Sequence, residues 1–160
     1  DGDWLLLVDS DVVINPEIVK KLWDTANKVT HPVVCGVYFV SPNPNMSLMT
    51  PVPCIFTDDG VMNTPVHPLP ENKVIPIDVA GLGLCLMHRS VLEKLKEPYE
   101  GIYFDVSIGK INKSEDVSFF RKLKEAGIPV YAHTGAIAKH MKRFDLDEKY
   151  YAMWWNAQDK

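Results

Sequence analysis

The sequence predicts an α/β domain, and three observations carry that expectation. Short apolar, β-rich runs alternate along the chain with segments of helical period. The 160 residues are 46% apolar and 24% charged, a globular composition with enough length for one domain and a real core. The third observation is Trp4-Leu5-Leu6-Leu7-Val8-Asp9-Ser10-Asp11, an apolar run too short for a helix that leads straight into two carboxylates. Such a run reads as a strand buried on both faces. Residues two apart on an extended chain point the same way, so Asp9 and Asp11 are expected side by side. Like charges set together are costly unless a cation joins them. Open α/β sheets also bind ligands at the carboxyl ends of their strands. The pair is therefore a candidate divalent-metal site for a phosphate-bearing substrate.

The elements follow in order. Asn15-Pro16-Glu17 opens a helix over about 16–28: Asn caps, Pro suits the first turn, and Glu suits the positive end. Ile18, Val19, Leu22, Trp23, Ala26 and Val29 fall on one face of it, and His31-Pro32 breaks it. Residues 33–40 form a β-rich run and a predicted strand. Residues 41–73 hold most of the chain's 12 prolines and no sustained period, with a weak strand near 54–57 and a turn at Asp58-Asp59-Gly60. A stretch of that kind is either a substrate-facing excursion or a connector. Strand character resumes over 74–80 and, after Gly81-Leu82-Gly83, over 84–87. A short helix over 90–96 ends before Pro98, and a mixed loop follows to residue 113. Ser114 caps a helix over 115–126 that Gly127 stops, with Val117, Phe120, Leu123 and Ala126 as its buried stripe. Residues 129–132 and 136–138 read as strand pieces leading to Lys139-His140. A last helix is expected over 145–158, crowded with Tyr150, Tyr151, Trp154 and Trp155.

Charge and cysteine usage exclude some functions. The formal charge of −4, without a basic run, excludes a dedicated nucleic-acid binder. Cys35, Cys54 and Cys85 are odd in number and sit in apolar contexts, so buried free thiols and a cytoplasmic, reducing location are expected. No signal peptide or membrane span is visible. The chain opens on Asp1-Gly2-Asp3 without an initiator Met, and is expected to be a piece of something longer.

Beyond the Asp pair, three constellations carry chemistry. Glu115 and Asp116 lie at a helix start, where acids are commonly structural. The same place suits a general base, because the helix dipole keeps a carboxylate ionised and a rigid first turn aims it. His140 ends a strand-like run from which it can join the early acids, and imidazole with carboxylates suits Mn(II). Gly81-x-Gly83 is either a turn between strands or a spot where backbone approaches a ligand.

In this order the pieces resemble the second half of a family 2 glycosyltransferase with the GT-A fold. The resemblance rests on Leu5-Leu6-Leu7-Val8-Asp9-Ser10-Asp11 and on Val79-Ala80-Gly81-Leu82-Gly83-Leu84-Cys85-Leu86-Met87-His88-Arg89. It continues through Ser114-Glu115-Asp116-Val117-Ser118-Phe119-Phe120 and Ala126-Gly127-Ile128-Pro129-Val130-Tyr131 to His140. It implies a GT-A-like mixed sheet with flanking helices, with residues 1–144 as the metal- and acceptor-side half and residues 145–160 as an aromatic helix or tail packing on it. It further implies transfer of sugar from a nucleoside-diphosphate sugar to the hydroxyl of a saccharide, lipid or protein acceptor, with inversion. By similarity, Asp11 and His140 would hold Mn²⁺ or Mg²⁺, and Asp9 would face the ion's water or the ribose. Asp116 would be the base, Glu115 the fallback base or an acceptor-holding partner, and Gly81 the approach to the donor sugar. Members of this fold begin with a nucleotide-binding βαβ half, which the chain is expected to lack. A fragment of that kind is expected to be inactive or very weak alone, with an exposed sheet edge beside residues 5–8 and self-association through that edge or the aromatic tail.

Two rival readings remain at this point. A phosphatase resembling the haloacid-dehalogenase group would use Asp9 as nucleophile and Asp11 as acid/base. It would need a later Lys and an acidic motif on separate βα units, where Asp58-Asp59 comes too early and Glu115-Asp116 begins a helix. In a non-catalytic binding module the acidic pair would be a turn and the aromatic tail an interface.

Overall fold

The structure, a computed structural model, describes residues 2–41, 51–106, 114–142 and 147–158. Strand β1 (Trp4–Val8) runs into a tight turn, from which the two-residue β2 (Val12–Val13) leaves. Helix α1 (Pro16–Thr25) starts where predicted, with the Asn15 side chain accepting the Ile18 N–H at 3.0 Å. It ends earlier than the apolar spacing suggests. Ala26 turns extended, and the Asn27 side chain captures the N–H groups of Val29 and Thr30. Ile18 and Leu22 are buried, but Trp23 and Val29 face solvent.

The run over 33–40 is two strands, β3 (Val33–Val37) and β4 (Phe39–Val40), broken at buried Tyr38. The proline-rich stretch is more regular than its sequence suggests. It contains β5 (Val52–Pro53), β6 (Ile55–Asp58) and β7 (Asn63–Pro65); residues 42–50 lie outside the described part. The predicted turn joins β6 to β7, with the Asp58 carboxylate accepting the Gly60 N–H and Gly60 at φ +91°. What reads as one strand over 74–80 is β8 (Val74–Pro76) and β9 (Val79–Ala80), which belong to different sheets. Then come β10 (Leu84–His88), α2 (Arg89–Lys96) and α3 (Glu115–Glu125), which stops before Gly127 at φ +63°. The two predicted strand pieces merge into β11 (Val130–Ile137), followed by β12 (Lys139–His140) and α4 (Glu148–Gln158).

The main sheet has the order β1-β10-β3-β11-β8, and only β3 and β11 run parallel. It is therefore mixed, as expected. Alternation along β3 sorts its side chains: Val33, Cys35 and Val37 join the core under α2 and α3, while Val34 joins Ile18 and Leu22 of α1 on the other face. All three cysteines are buried and free. Strand β1 departs from the expectation of two-sided burial. Among the described residues it is an edge strand paired only with β10, and Leu5 is 41% and Val8 38% exposed. Small sheets flank the main one: β7-β6-β9 beside α3, and β12-β2 and β4-β5 at the end where β1 leaves the sheet. Among the described residues no helix is long and apolar enough to cross a membrane.

Candidate functional site

The acidic pair is not side by side on a strand. After β1 the chain closes a four-residue turn, with the Val12 N–H donating to the Asp9 carbonyl at 3.0 Å. A turn abolishes the two-residue alternation on which the extended-chain expectation rests. It sends the two carboxylates to different partners.

Asp11 meets the late strand. Pairing of β2 with β12 sets Val12 opposite His140, and the Met141 N–H donates to the Asp11 carbonyl at 2.7 Å. His140 Nε2 then stands 3.1 Å from Asp11 Oδ2, and Lys142 Nζ reaches the same oxygen at 3.1 Å. The other ring nitrogen of His140, Nδ1, is 2.8 Å from the Phe39 carbonyl. A carbonyl only accepts, so Nδ1 carries a hydrogen, and Nε2 is the ring nitrogen that faces the carboxylate. Lys142 holds the Asp11 carboxyl below the usual carboxylate range, chiefly through its hydrogen bond, with His140 adding to it against a small burial cost.

Asp9 faces the other way. Its N–H donates to the Gly83 carbonyl at 3.1 Å, and a Cβ on Gly83 would stand 2.6 Å from Asp9 Oδ2. On the same segment the Leu82 N–H donates to Asp116, in the first turn of α3. Ser114 caps that helix as expected, accepting the Val117 N–H. The Asp116 carboxyl is pushed up to about 6, first by burial and then by the neighbouring charge of Glu115, with Asp9 adding to it. The helix start favours the ionised acid, but burial and Glu115 outweigh it. A helix terminus contributes only ~0.3–1 kcal/mol, less than the opposing terms supply. Glu115 itself points to solvent.

Tyr38 links the two halves. Its hydroxyl accepts the Gly83 N–H at 3.3 Å and bonds to the Cys54 thiol, and its ring meets His140 edge-on with centroids 5.1 Å apart. Burial raises both the Tyr38 hydroxyl and the Cys54 thiol above their ordinary ranges. A Cβ on Gly81 would run into the Tyr38 hydroxyl and lie 2.6 Å from Cys54 Sγ. The room that Gly81 leaves is thus filled by the protein's own side chains.

The structure therefore brings Asp9 and Asp116 together around residues 82–83 and Asp11 and His140 together across β2 and β12, with Tyr38 touching both groups. Sequence reasoning missed Tyr38, Cys54 and Lys142. A signal for Lys142 exists: it lies two residues past His140 at a strand end, the spacing that returns a side chain to the same face. No such signal marks Tyr38. Among the described residues no cluster of three or more His, Cys, Asp or Glu could by itself hold a metal ion. Asp11 and His140 supply two donors, which fits an ion that takes its remaining ligands from water and phosphate oxygens. The cavities lined by Ile77, Lys124 and Tyr131, and by Asp58 and Arg121, contain none of these groups.

No curated protein matches the chain. Among solved structures it is similar to the crystal structure of A197 from STIV, with 26% sequence identity and a TM-score of 0.56 over 89% of this chain and 60% of that one. The chain thus spans 60% of the length of that structure. A mixed sheet with helices on both faces is the arrangement expected of part of a GT-A domain. The family profile described as Glycosyltransferase like family 2 matches residues 1–153, a span that takes in every residue of the site. The chain belongs to the glycosyltransferase-like family 2.

Proposed function

We propose that residues 1–144 are the metal- and acceptor-side half of a glycosyltransferase domain, which moves a sugar from a nucleoside-diphosphate donor to an acceptor hydroxyl with inversion. The carrying observation is that Asp116, its carboxyl at about 6, shares one turn with Asp9, while Asp11 and His140 meet 3.1 Å apart beyond Tyr38.

Asp116 is the general base. A carboxylate with a value near 6 is mostly ionised at neutral pH, yet basic enough to take the acceptor's proton as its oxygen attacks. The Leu82 N–H fixes its aim. Glu115 sets the local field and reaches out to hold the acceptor. Asp11 and His140 are the residues that would hold Mn²⁺ or Mg²⁺; when bound, the ion supplies Lewis-acid neutralisation of charge on the leaving diphosphate. Asp9 faces the donor's ribose or the ion's water, and Gly81 with Gly83 lets Tyr38 and Asp9 close in behind the donor sugar. The aromatic α4, with Tyr151, Trp154 and Trp155 exposed, belongs to a tail that docks on the domain or on an acceptor. Three buried free thiols support a reducing, cytoplasmic setting.

The test is sugar transfer by the full-length protein across a panel of nucleotide sugars with Mn²⁺. Asp116→Asn is expected to lower kcat by about 10²–10⁴-fold while donor binding persists. Asp11→Asn is expected to weaken metal-dependent donor binding. Undiminished turnover in both variants would overturn the reading.

A further inference from the structure

We propose that Lys142 is the resident counter-cation of Asp11, holding the carboxylate oxygen that a divalent ion takes and yielding it when the ion binds. The inference rests on the metal reading above and adds a competitor to it.

One oxygen, Asp11 Oδ2, receives both Lys142 Nζ and His140 Nε2, each at 3.1 Å. His140 Nδ1 is committed to the Phe39 carbonyl, so Nε2 is the ring atom turned to Oδ2. The Lys142 ammonium brings a positive charge to that same oxygen, the atom a bound cation would take. The backbone makes this arrangement repeatable. The Met141 N–H is fixed on the Asp11 carbonyl at 2.7 Å, so residues 140 and 142 fall to either side of it and return to the same carboxylate.

The pair is also built to open. The Lys142 side chain is 57% exposed and that of Asp11 41%. An ion pair this wet is weak, and the ammonium regains full hydration on leaving. The contrast is Asp58 with Arg121, where the carboxylate is 3% exposed and gripped by two guanidinium nitrogens. That pair is a fixture, whereas the pair at Asp11 is exchangeable.

The experiment titrates the full-length protein with Mn²⁺ alone and reads free Mn²⁺ by electron paramagnetic resonance. Removing the competitor in Lys142→Gln is expected to tighten Mn²⁺ binding by about three- to tenfold, the range an exposed ion pair and its repulsion can supply. Lys139→Gln makes the same charge change on β12 without touching Asp11, and is expected to stay within about a factor of two of the parent. Asp11→Asn is expected to abolish the site. Binding that is unchanged or weaker in Lys142→Gln, or equally tightened in Lys139→Gln, overturns the counter-cation. If that happens while Asp11→Asn still abolishes binding, the metal site itself stands. Absence of Mn²⁺ binding in every variant removes both.

Discussion

Asp116 keeps its proton longer than a carboxylate in water because its ionised form is half-buried beside Glu115 and within the field of Asp9. Its value rises from 3.8 to about 6, so the folded chain binds that proton more tightly than the unfolded chain does. Folding stability is therefore lost, not gained, as pH climbs from 3.8 to about 6, and stays lost above. Asp116→Asn has no proton to give up. Urea unfolding at pH 7.5 is expected to show it more stable than the parent by roughly 1–2 kcal/mol, less than full linkage because the carboxyl is partly solvated. Near pH 4 the gap is expected to close. The same ionisation governs catalysis in the proposed mechanism: kcat/KM of the full-length protein is expected to fall below a pH of about 6, with that limb absent from the residual activity of Asp116→Asn. The acid was legible in the sequence from its place at a capped helix start. Its shifted value was not, because burial and the approach of Asp9 come from distant parts of the chain.

Helix α3 is aimed by the β6–β7 hairpin. Arg121 donates to the buried Asp58 carboxylate through Nε at 2.9 Å and Nη2 at 3.1 Å. Lys124 donates to the Asp58 carbonyl at 2.9 Å and bridges to Asp78 at 2.8 Å. The first turn of the same helix presents Asp116, so the hairpin fixes the base as well as the helix. Asp58→Ala strands a guanidinium whose side chain is only 18% exposed and is expected to cost about 3–5 kcal/mol in urea unfolding. The double replacement Asp58→Leu with Arg121→Met is expected to cost much less, since it removes both charges. This element shows where local reading fails. Ser114 and Gly127 announce the ends of α3 because caps act within one turn of chain. Strand β6 is legible near 54–57 beside its turn, but its pairing with β9 is not, because that partner lies more than twenty residues on.

At the scale of the whole molecule, the sheet ends on β1, whose outer side has no strand partner among the described residues. Half-exposed Leu5 and Val8 lie beside its free backbone groups. Edges of that kind pair with other chains. Sedimentation velocity is expected to show self-association rising with concentration and reduced in Leu5→Lys, with circular dichroism unchanged. A parent chain that stays monomeric throughout would remove this proposal.

By itself the sequence determined the class of fold, the helix starts and stops, the Asp58–Gly60 turn, and the few acids and imidazole worth considering. Each of these is written in neighbours a few residues apart, where propensity, capping and period act. Only the tertiary structure decided that a turn parts Asp9 from Asp11, that Tyr38 touches both Gly83 and His140, and that Lys142 shares an oxygen with His140. The Asp11–His140 contact joins positions 129 residues apart. Its geometry depends on β2 pairing with β12, strands from opposite ends of the chain, and that pairing is a property of the assembled molecule, which no short stretch of the chain encodes.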